Sequence, residues 1–205
     1  MKVKKLNLFG ASGHAKVVID IITSNGFGLA YVFDDDKSIH KLLDYKVTTS
    51  YDSSLLKSYP LLVSIGDNVI RKEIALRTNI NLSEALIHPS AIISSEAVLG
   101  KGTVVMPNVV INSGTRIGEN CIINTSAVIE HDCIIKDYVH ISPNAALAGG
   151  VKVREGSHVG IGANIIQFIE IGEWSNIGAG AVVVRNIPSH CTAVGIPAKP
   201  IKFHS

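Results

Sequence analysis

Three histidines in the second half of the chain, His131, His140 and His158, stand where proton transfer could occur. Imidazole changes charge near neutral pH, so each ring could take or give a proton in a reaction. His131 is followed by Asp132, whose carboxylate would favour the imidazolium that forms as the ring accepts a proton. Successive side chains on a strand diverge, so Asp132 can assist only where the backbone turns a corner. A second group lies in the first third of the chain: Ser12, Gly13 and His14 in the turn Gly10-Ala11-Ser12-Gly13-His14, then Asp34-Asp35, then Gly66-Asp67-Asn68. A glycine turn that opens a helix can offer backbone N–H groups to phosphate, and an acid after the second strand can hold a ribose or a pyrimidine ring. The turn is not the full Gly-x-Gly-x-x-Gly fingerprint.

These groups need elements to carry them. From Ile93 to Val183 every sixth residue is Ile, Leu or Val, sixteen positions in succession, and the residue two before each is mostly Ala, Ser, Thr or Cys. A period of six fits neither an α-helix nor an alternating strand. It fits a triangular β-solenoid with one short strand per face and three hexads per coil, the aliphatic inward and the small residue giving it room. Residues eighteen apart then stack at roughly 4.8 Å. The residue before each aliphatic faces outward, in columns that begin Ile92-Val110-Val128, Val98-Arg116-Ile134 and Val104-Ile122-His140-His158. Outward aliphatics in the early coils form an apolar patch, which predicts a partner surface. The alternative is that the N-terminal domain folds back over it.

Before the solenoid, Leu6–Phe9 reads as a strand and the glycine turn follows it. A helix comes next, with Val17, Val18, Ile21 and Ile22 on its buried face and a stop at Asn25-Gly26. Strands at Ala30–Phe33 and Leu61–Ile65 and a helix over Val69–Arg77 complete a small Rossmann-like α/β unit with a parallel sheet. The chain thus divides into residues 1–85, a Rossmann-like domain with a candidate nucleotide site, and 86–205, a β-helix that carries the three histidines.

Composition narrows the classes. A net charge of +2 argues against nucleic acid or an anionic membrane surface as partner. No segment approaches the ~18 continuous apolar residues of a membrane span. The short apolar run after the basic start breaks at Gly10, so it does not read as a signal peptide. Cys121, Cys133 and Cys191 form no Cys-x-x-Cys pair, and two take the small inward position, so they read as buried thiols in a reducing, cytoplasmic setting.

Ser12-Gly13-His14, Asp34-Asp35, Ser64-Ile65-Gly66-Asp67-Asn68, Asn124-Thr125-Ser126 leading into Ile129-Glu130-His131-Asp132, and the coda Val194-Gly195-Ile196-Pro197-Ala198-Lys199 together resemble the hexapeptide-repeat sugar acetyltransferases of the sialic-acid O-acetyltransferase-like family. The branch that N-acetylates nucleotide-linked 4-amino-4,6-dideoxy sugars is the most similar. The resemblance implies a left-handed parallel β-helix, a homotrimer with active sites between subunits, acetyl-CoA as co-substrate, no metal, and a role in surface-polysaccharide synthesis. It implies that His131 is the general base, with Asp132 where the family often has Glu. It places His140 at the thioester carbonyl of acetyl-CoA, and Ser12, Gly13, His14, Asp34, Asp35, Gly66 and Asn68 on the nucleotide-sugar side. Gly149, one coil beyond His131, could offer its N–H to an oxyanion. The CoA arm would pass Ile161, Gly162 and Ala179 toward Lys199. His131 and His140 are half a coil apart and should not meet within one chain. Other readings are O-acetylation of a sialic acid, a zinc lyase of the carbonic anhydrase type, for which the histidine spacing is missing, and a noncatalytic nucleotide-sugar scaffold.

Overall fold

The computed structural model describes residues 3–49, 53–79 and 81–204. Met1 and Lys2, where the basic start of the chain begins, lie outside them. The N-terminal layer contains β1 (Lys5–Phe9), α1 (Gly13–Ser24), β2 (Gly28–Phe33), β3 (Lys41–Leu42), β4 (Tyr45–Thr48), α2 (Ser53–Lys57), β5 (Leu61–Val63) and α3 (Asn68–Thr78). Its sheet order is β3-β4-β2-β1-β5, parallel except for the β3–β4 hairpin. The hairpin and α2 carry no periodic apolar signal and were not expected from the sequence. Apolar residues of α1 pack on one face of the sheet with Leu6, Leu8 and Val32, while Leu56 and Ile74 pack on the other with Phe9, Phe33 and Val63. Helix α1 buries Ala15, Val18, Ile19, Ile21 and Ile22. Val17, expected on this face, is exposed, because Ala15 and Ile19 continue the buried stripe instead.

The solenoid runs through seventeen two-residue strands, β6 (Leu86–Ile87) to β22 (Val182–Val183), then β23 (Cys191–Gly195) and β24 (Ala198–Phe203). They form three parallel ladders. The first face stacks Ile92, Val110, Val128, Ala146, Asn164 and Val182. The second stacks Val98, Arg116, Ile134, Lys152 and Glu170. The third begins at Leu86 and passes Val104, Ile122, His140, His158 and Asn176. The eighteen-residue register therefore holds as the hexad period required. It shortens to sixteen in the last coil, where Asn176 pairs with Thr192. The inward aliphatics and small residues form one core. The hydroxyls among them are satisfied between coils: Thr115 Oγ1 donates to the Glu130 carbonyl (2.7 Å) and accepts from the Cys133 N–H (3.2 Å).

The outward residues of the early third face are not a free patch. Val104 and Ile122 are buried with Leu86 and Met106 under the N-terminal layer, in the same cluster as α1. The fold-back alternative thus holds for this face, where the sequence expectation of a partner surface fails. Ile92 and Val98, on the first and second faces, remain exposed in the single chain. Asn25 at the end of α1 donates to the Ile87 carbonyl (2.9 Å), pinning helix to solenoid. No helix among the described residues is long and apolar enough to cross a membrane.

Candidate active site

From Leu99 to Ile177 each hexad turns a corner after its inward aliphatic, and the third residue after that aliphatic takes a left-handed conformation. At the corner between the first and second faces that residue is Asp132, with φ of 59°. Aspartate enters this region more readily than most residues. The turn defeats the divergence expected of strand neighbours: His131 Nδ1 lies 2.9 Å from Asp132 Oδ2. With Asp132 accepting, the Nδ1 position carries the hydrogen and Nε2 is left as the acceptor. The corner is held from behind by the Asp132 N–H donating to the Ser113 carbonyl (3.0 Å) and by Thr115 as above. Two glycines make room for the pair. A Cβ on Gly149 would stand 2.6 Å from His131 Cε1 and Nε2, and one on Gly114 would stand 2.5 Å from Asp132 Oδ1. The imidazole therefore covers Gly149, which is buried. Around it the ladder uses the Gly149 carbonyl (from the Phe168 N–H, 3.0 Å) and the Gly150 N–H (to the His131 carbonyl, 2.9 Å). The ring itself is 61% exposed.

His140 occupies the third face, directly across the prism from that corner. The two histidines do not meet within one chain. His140 and His158 stack with ring centroids 4.6 Å apart and planes within 5°. Burial, then the neighbouring His158, Arg71 and His14, push His140 down to about 3. Its Nε2 lies 3.1 Å from Asn124 Nδ2. The Asn124 amide is oriented by Thr125, whose N–H donates to Oδ1 (2.8 Å), so His140 Nε2 accepts. Hydrogen bonding to the Gly66 backbone is the one influence that raises its pKa. His158 Nε2 lies 2.7 Å from Ser142 Oγ, and burial followed by Arg71 lowers its pKa.

A cleft of about 690 Å³ opens beside these rings, lined by Gly66, Asn68 and Val69 on one side and His140, His158, Trp174 and Asn176 on the other. His190 and His204 close one end. His190 arrives on the last coil, shortened to sixteen residues, and His204 at the end of β24, which folds back antiparallel on β23; neither step carries a hexad signal.

The N-terminal residues divide. Gly10 has φ of 108° and comes so close to β5 that a Cβ would meet the Ser64 carbonyl at 2.8 Å. Its N–H donates to the Phe33 carbonyl (2.8 Å), and the Ala11 N–H donates to Asp34 Oδ2 (2.7 Å). Asp34 Oδ1 accepts from the Asp36 N–H (2.8 Å). Asp34 thus braces the glycine turn through both carboxylate oxygens. Asp35 pairs with Arg77 at 2.8 Å on the surface. Ser12 caps α1 without a side-chain hydrogen bond, Gly13 has open space at its Cα, and both are exposed. His14 is held down to about 4 by burial and then by Arg71, and its Nε2 is buried without a partner. Asn68 is buried beside the cleft. Its Nδ2 donates to the Gly156 and Ser157 carbonyls (3.0 and 3.3 Å) and its Oδ1 accepts from Arg71 (2.7 Å), so its amide is spent joining the two halves of the molecule. Gly66 remains exposed at the cleft.

Ile161, Gly162 and Ala179 share the corner between the third and first faces, with the Gly180 N–H donating to the Ile161 carbonyl (2.8 Å). Ile161 and Ala179 are exposed, and a Cβ on Gly162 would meet nothing. Lys199 is exposed on β24, opposite Val194. These residues lie away from the His131 corner of the same chain. The three thiols are free and buried, and burial raises Cys133 above its ordinary value. Among the described residues no cluster of three or more His, Cys, Asp or Glu could hold a metal ion.

Residues 5–78 match the PglD N-terminal domain, and residues 114–149 match the bacterial transferase hexapeptide (six repeats). The chain is 36% identical to a point mutant of perosamine N-acetyltransferase from Caulobacter crescentus, solved with CoA and GDP-perosamine, with a TM-score of 0.92 and 98% of each chain covered. It belongs to the nucleotide-sugar N-acetyltransferase branch of the hexapeptide-repeat family. Other members with the same fold are the acetyltransferase domain of PglB from Neisseria gonorrhoeae and WeeI from Acinetobacter baumannii. The first is 34% identical with a TM-score of 0.87, covering 97% of this chain and all of that one. The second is 26% identical with a TM-score of 0.84 and the same coverage. The PglB domain has also been solved with acetyl coenzyme A. A 69-residue stretch is 36% identical to uncharacterized protein L142 of Acanthamoeba polyphaga mimivirus, so the match takes in 33% of this chain and 14% of that protein's length.

Proposed function

We propose that the protein transfers the acetyl group of acetyl-CoA to the amino group of a nucleotide-linked 4-amino-4,6-dideoxy sugar, as a cytoplasmic homotrimer serving surface-polysaccharide synthesis. The observation that carries this reading is the His131–Asp132 pair at 2.9 Å, with Nε2 turned to an open corner. The likeness to a perosamine N-acetyltransferase solved with CoA and GDP-perosamine supports the choice of substrates.

The sugar amine, in its neutral form, attacks the thioester carbonyl. As the N–C bond forms, Nε2 of His131 takes the ammonium proton and Asp132 stabilises the imidazolium. The Gly149 N–H, which the ladder leaves out, offers itself to the oxyanion, an interaction typically worth ~2.7–4 kcal/mol. Collapse breaks the C–S bond, and the imidazolium returns its proton to the departing CoA sulfur. Cys133 is not needed as a nucleophile, since its thiol points inward and is buried.

On the nucleotide side, Ser12, Gly13 and the first-turn N–H groups of α1 remain for phosphate once Gly10 and Ala11 are committed. Gly66 and Asp35 flank the path. Ile161, Gly162, Ala179 and Lys199 would follow the pantetheine and adenylate ends of CoA. The cleft lies across the prism from the His131 corner, which supports a base donated by a neighbouring protomer. Exposed Ile92 and Val98 support burial of the other two faces in a trimer.

The test is thiol release from acetyl-CoA with GDP-, UDP- and dTDP-linked 4-amino sugars and a free sialic acid, comparing wild type with His131→Ala. Release that needs an amino sugar, and falls about 10²–10⁴-fold in the variant, is expected. Turnover of the sialic acid alone, or no binding of CoA, would sink the assignment. An unimpaired variant removes His131 as the base.

A further inference from the structure

We infer that Arg71 is a positioning residue for this acetyl transfer, its guanidinium fixing the Gly66–Asn68 loop of the N-terminal layer against three successive coils beside His140. The inference rests on the function proposed above.

Arg71 lies on α3 and is 1% exposed. It makes five hydrogen bonds with its five N–H groups. Nε donates to the Asn120 carbonyl (2.8 Å) and Nη2 to the Tyr138 carbonyl (2.8 Å), on adjacent coils. Nη1 donates to the carbonyls of Ile65 (2.9 Å) and Gly66 (3.2 Å) in the loop after β5. Nη2 also donates to Asn68 Oδ1 (2.7 Å), and Asn68 reaches the Gly156 carbonyl on the next coil. Asn120, Tyr138 and Gly156 stack at one corner, each with positive φ. Arg71 thereby joins the loop to two coils directly and, through Asn68, to a third.

A simple strut would not need a charge. Burying a guanidinium is costly, and none of its five hydrogen-bond acceptors is a carboxylate. Apolar packing could join the layers more cheaply. What guanidinium adds is five donors in a fixed plane, which set the loop's height over the cleft as well as its attachment. The loop it holds includes Gly66, whose backbone in turn faces His140. The same buried charge helps keep His14, His140 and His158 neutral, second to burial for His14 and His158.

The experiment compares Arg71→Lys with wild type by melting temperature and by separate kinetics for each substrate. Lysine keeps the charge but cannot span both sides. Expected is a fall of about 10–100-fold in kcat/KM for the nucleotide sugar, with KM for acetyl-CoA changed by less than about twofold. A lowered melting temperature with unchanged constants per folded enzyme would overturn the inference, as would equal losses toward both substrates. If Arg71→Lys does not fold, Asn68→Ala, which removes the Gly156 limb and one acceptor of Arg71 but leaves its four bonds to backbone carbonyls, must show the same selective loss, and an even loss overturns the role. An inactive wild type overturns the acetyl-transfer reading together with this role. An active wild type with an unaffected Arg71→Lys overturns the role alone.

Discussion

The imidazole of His131 rests on the bare Cα of Gly149, one full coil further along the chain, with 2.6 Å between the ring and the place a methyl would occupy. The glycine's φ lies outside the left-handed range, so alanine would bring crowding without backbone strain. Gly149→Ala should displace the ring and lower kcat about 10²-fold, while the melting temperature and the KM for acetyl-CoA change little. Wild-type kcat in a folded variant would show that the seat does not matter.

Asp132→Asn tests the pairing at 2.9 Å. Asparagine tolerates the left-handed turn, so the corner should survive. Loss of the negative partner should cost about 10–100-fold in kcat, the range seen when an orienting partner is removed. Equal rates in variant and wild type would make the pair a surface ornament.

Stability should fall in acid. Folded His140 titrates near 3 and His14 near 4, against an ordinary value of 6.5, with burial the leading cause in both. Between those limits the unfolded chain binds more protons than the folded one, so stability rises with pH and is lost as pH drops from about 6.5. Each group contributes a slope of at most about 1.4 kcal/mol per pH unit. His140→Gln should flatten the curve of melting temperature against pH over 4–6.5. A variant curve parallel to that of wild type would assign the acid loss elsewhere.

Activity should depend on assembly. The base corner and the cleft occupy opposite sides of one prism, so a lone protomer should lack a complete site. Light scattering should find a trimer, and activity per chain should fall on dilution as the trimer dissociates. Constant activity per chain through dissociation would place the whole site in one protomer.

The solenoid was legible because every coil repeats the same demand: Ile129, Ile135 and Ile141 face inward for the reason that Ile111, Ile117 and Ile123 do. The contact between His131 and Asp132 was not, although Asn108, Asn120, Asn144 and several glycines recur at the same corner position and share its positive φ. The N-terminal residues were harder still. Asp34 and Asn68 have the polarity of ligand-binding groups, and folding adds structural partners the sequence does not show: the Ala11 N–H for Asp34, and the Arg71 guanidinium and Gly156 carbonyl for Asn68. Arg71 gave no signal at all, since a helix arginine ordinarily faces water and only the docking of α3 against the coils buries it. His190 joins the cleft through the last coil, two residues short of the period, and His204 through the return of β24.

The stacking of His131 over Gly149 makes chain length a gauge of activity. Any insertion or deletion between the two, even of a whole turn of eighteen, sets another residue beneath the ring, which keeps its footing only where that residue is glycine. Loops elsewhere can drift in length as this lineage diverges, but that interval cannot, and neither can a designer who wishes to lengthen the rod from within.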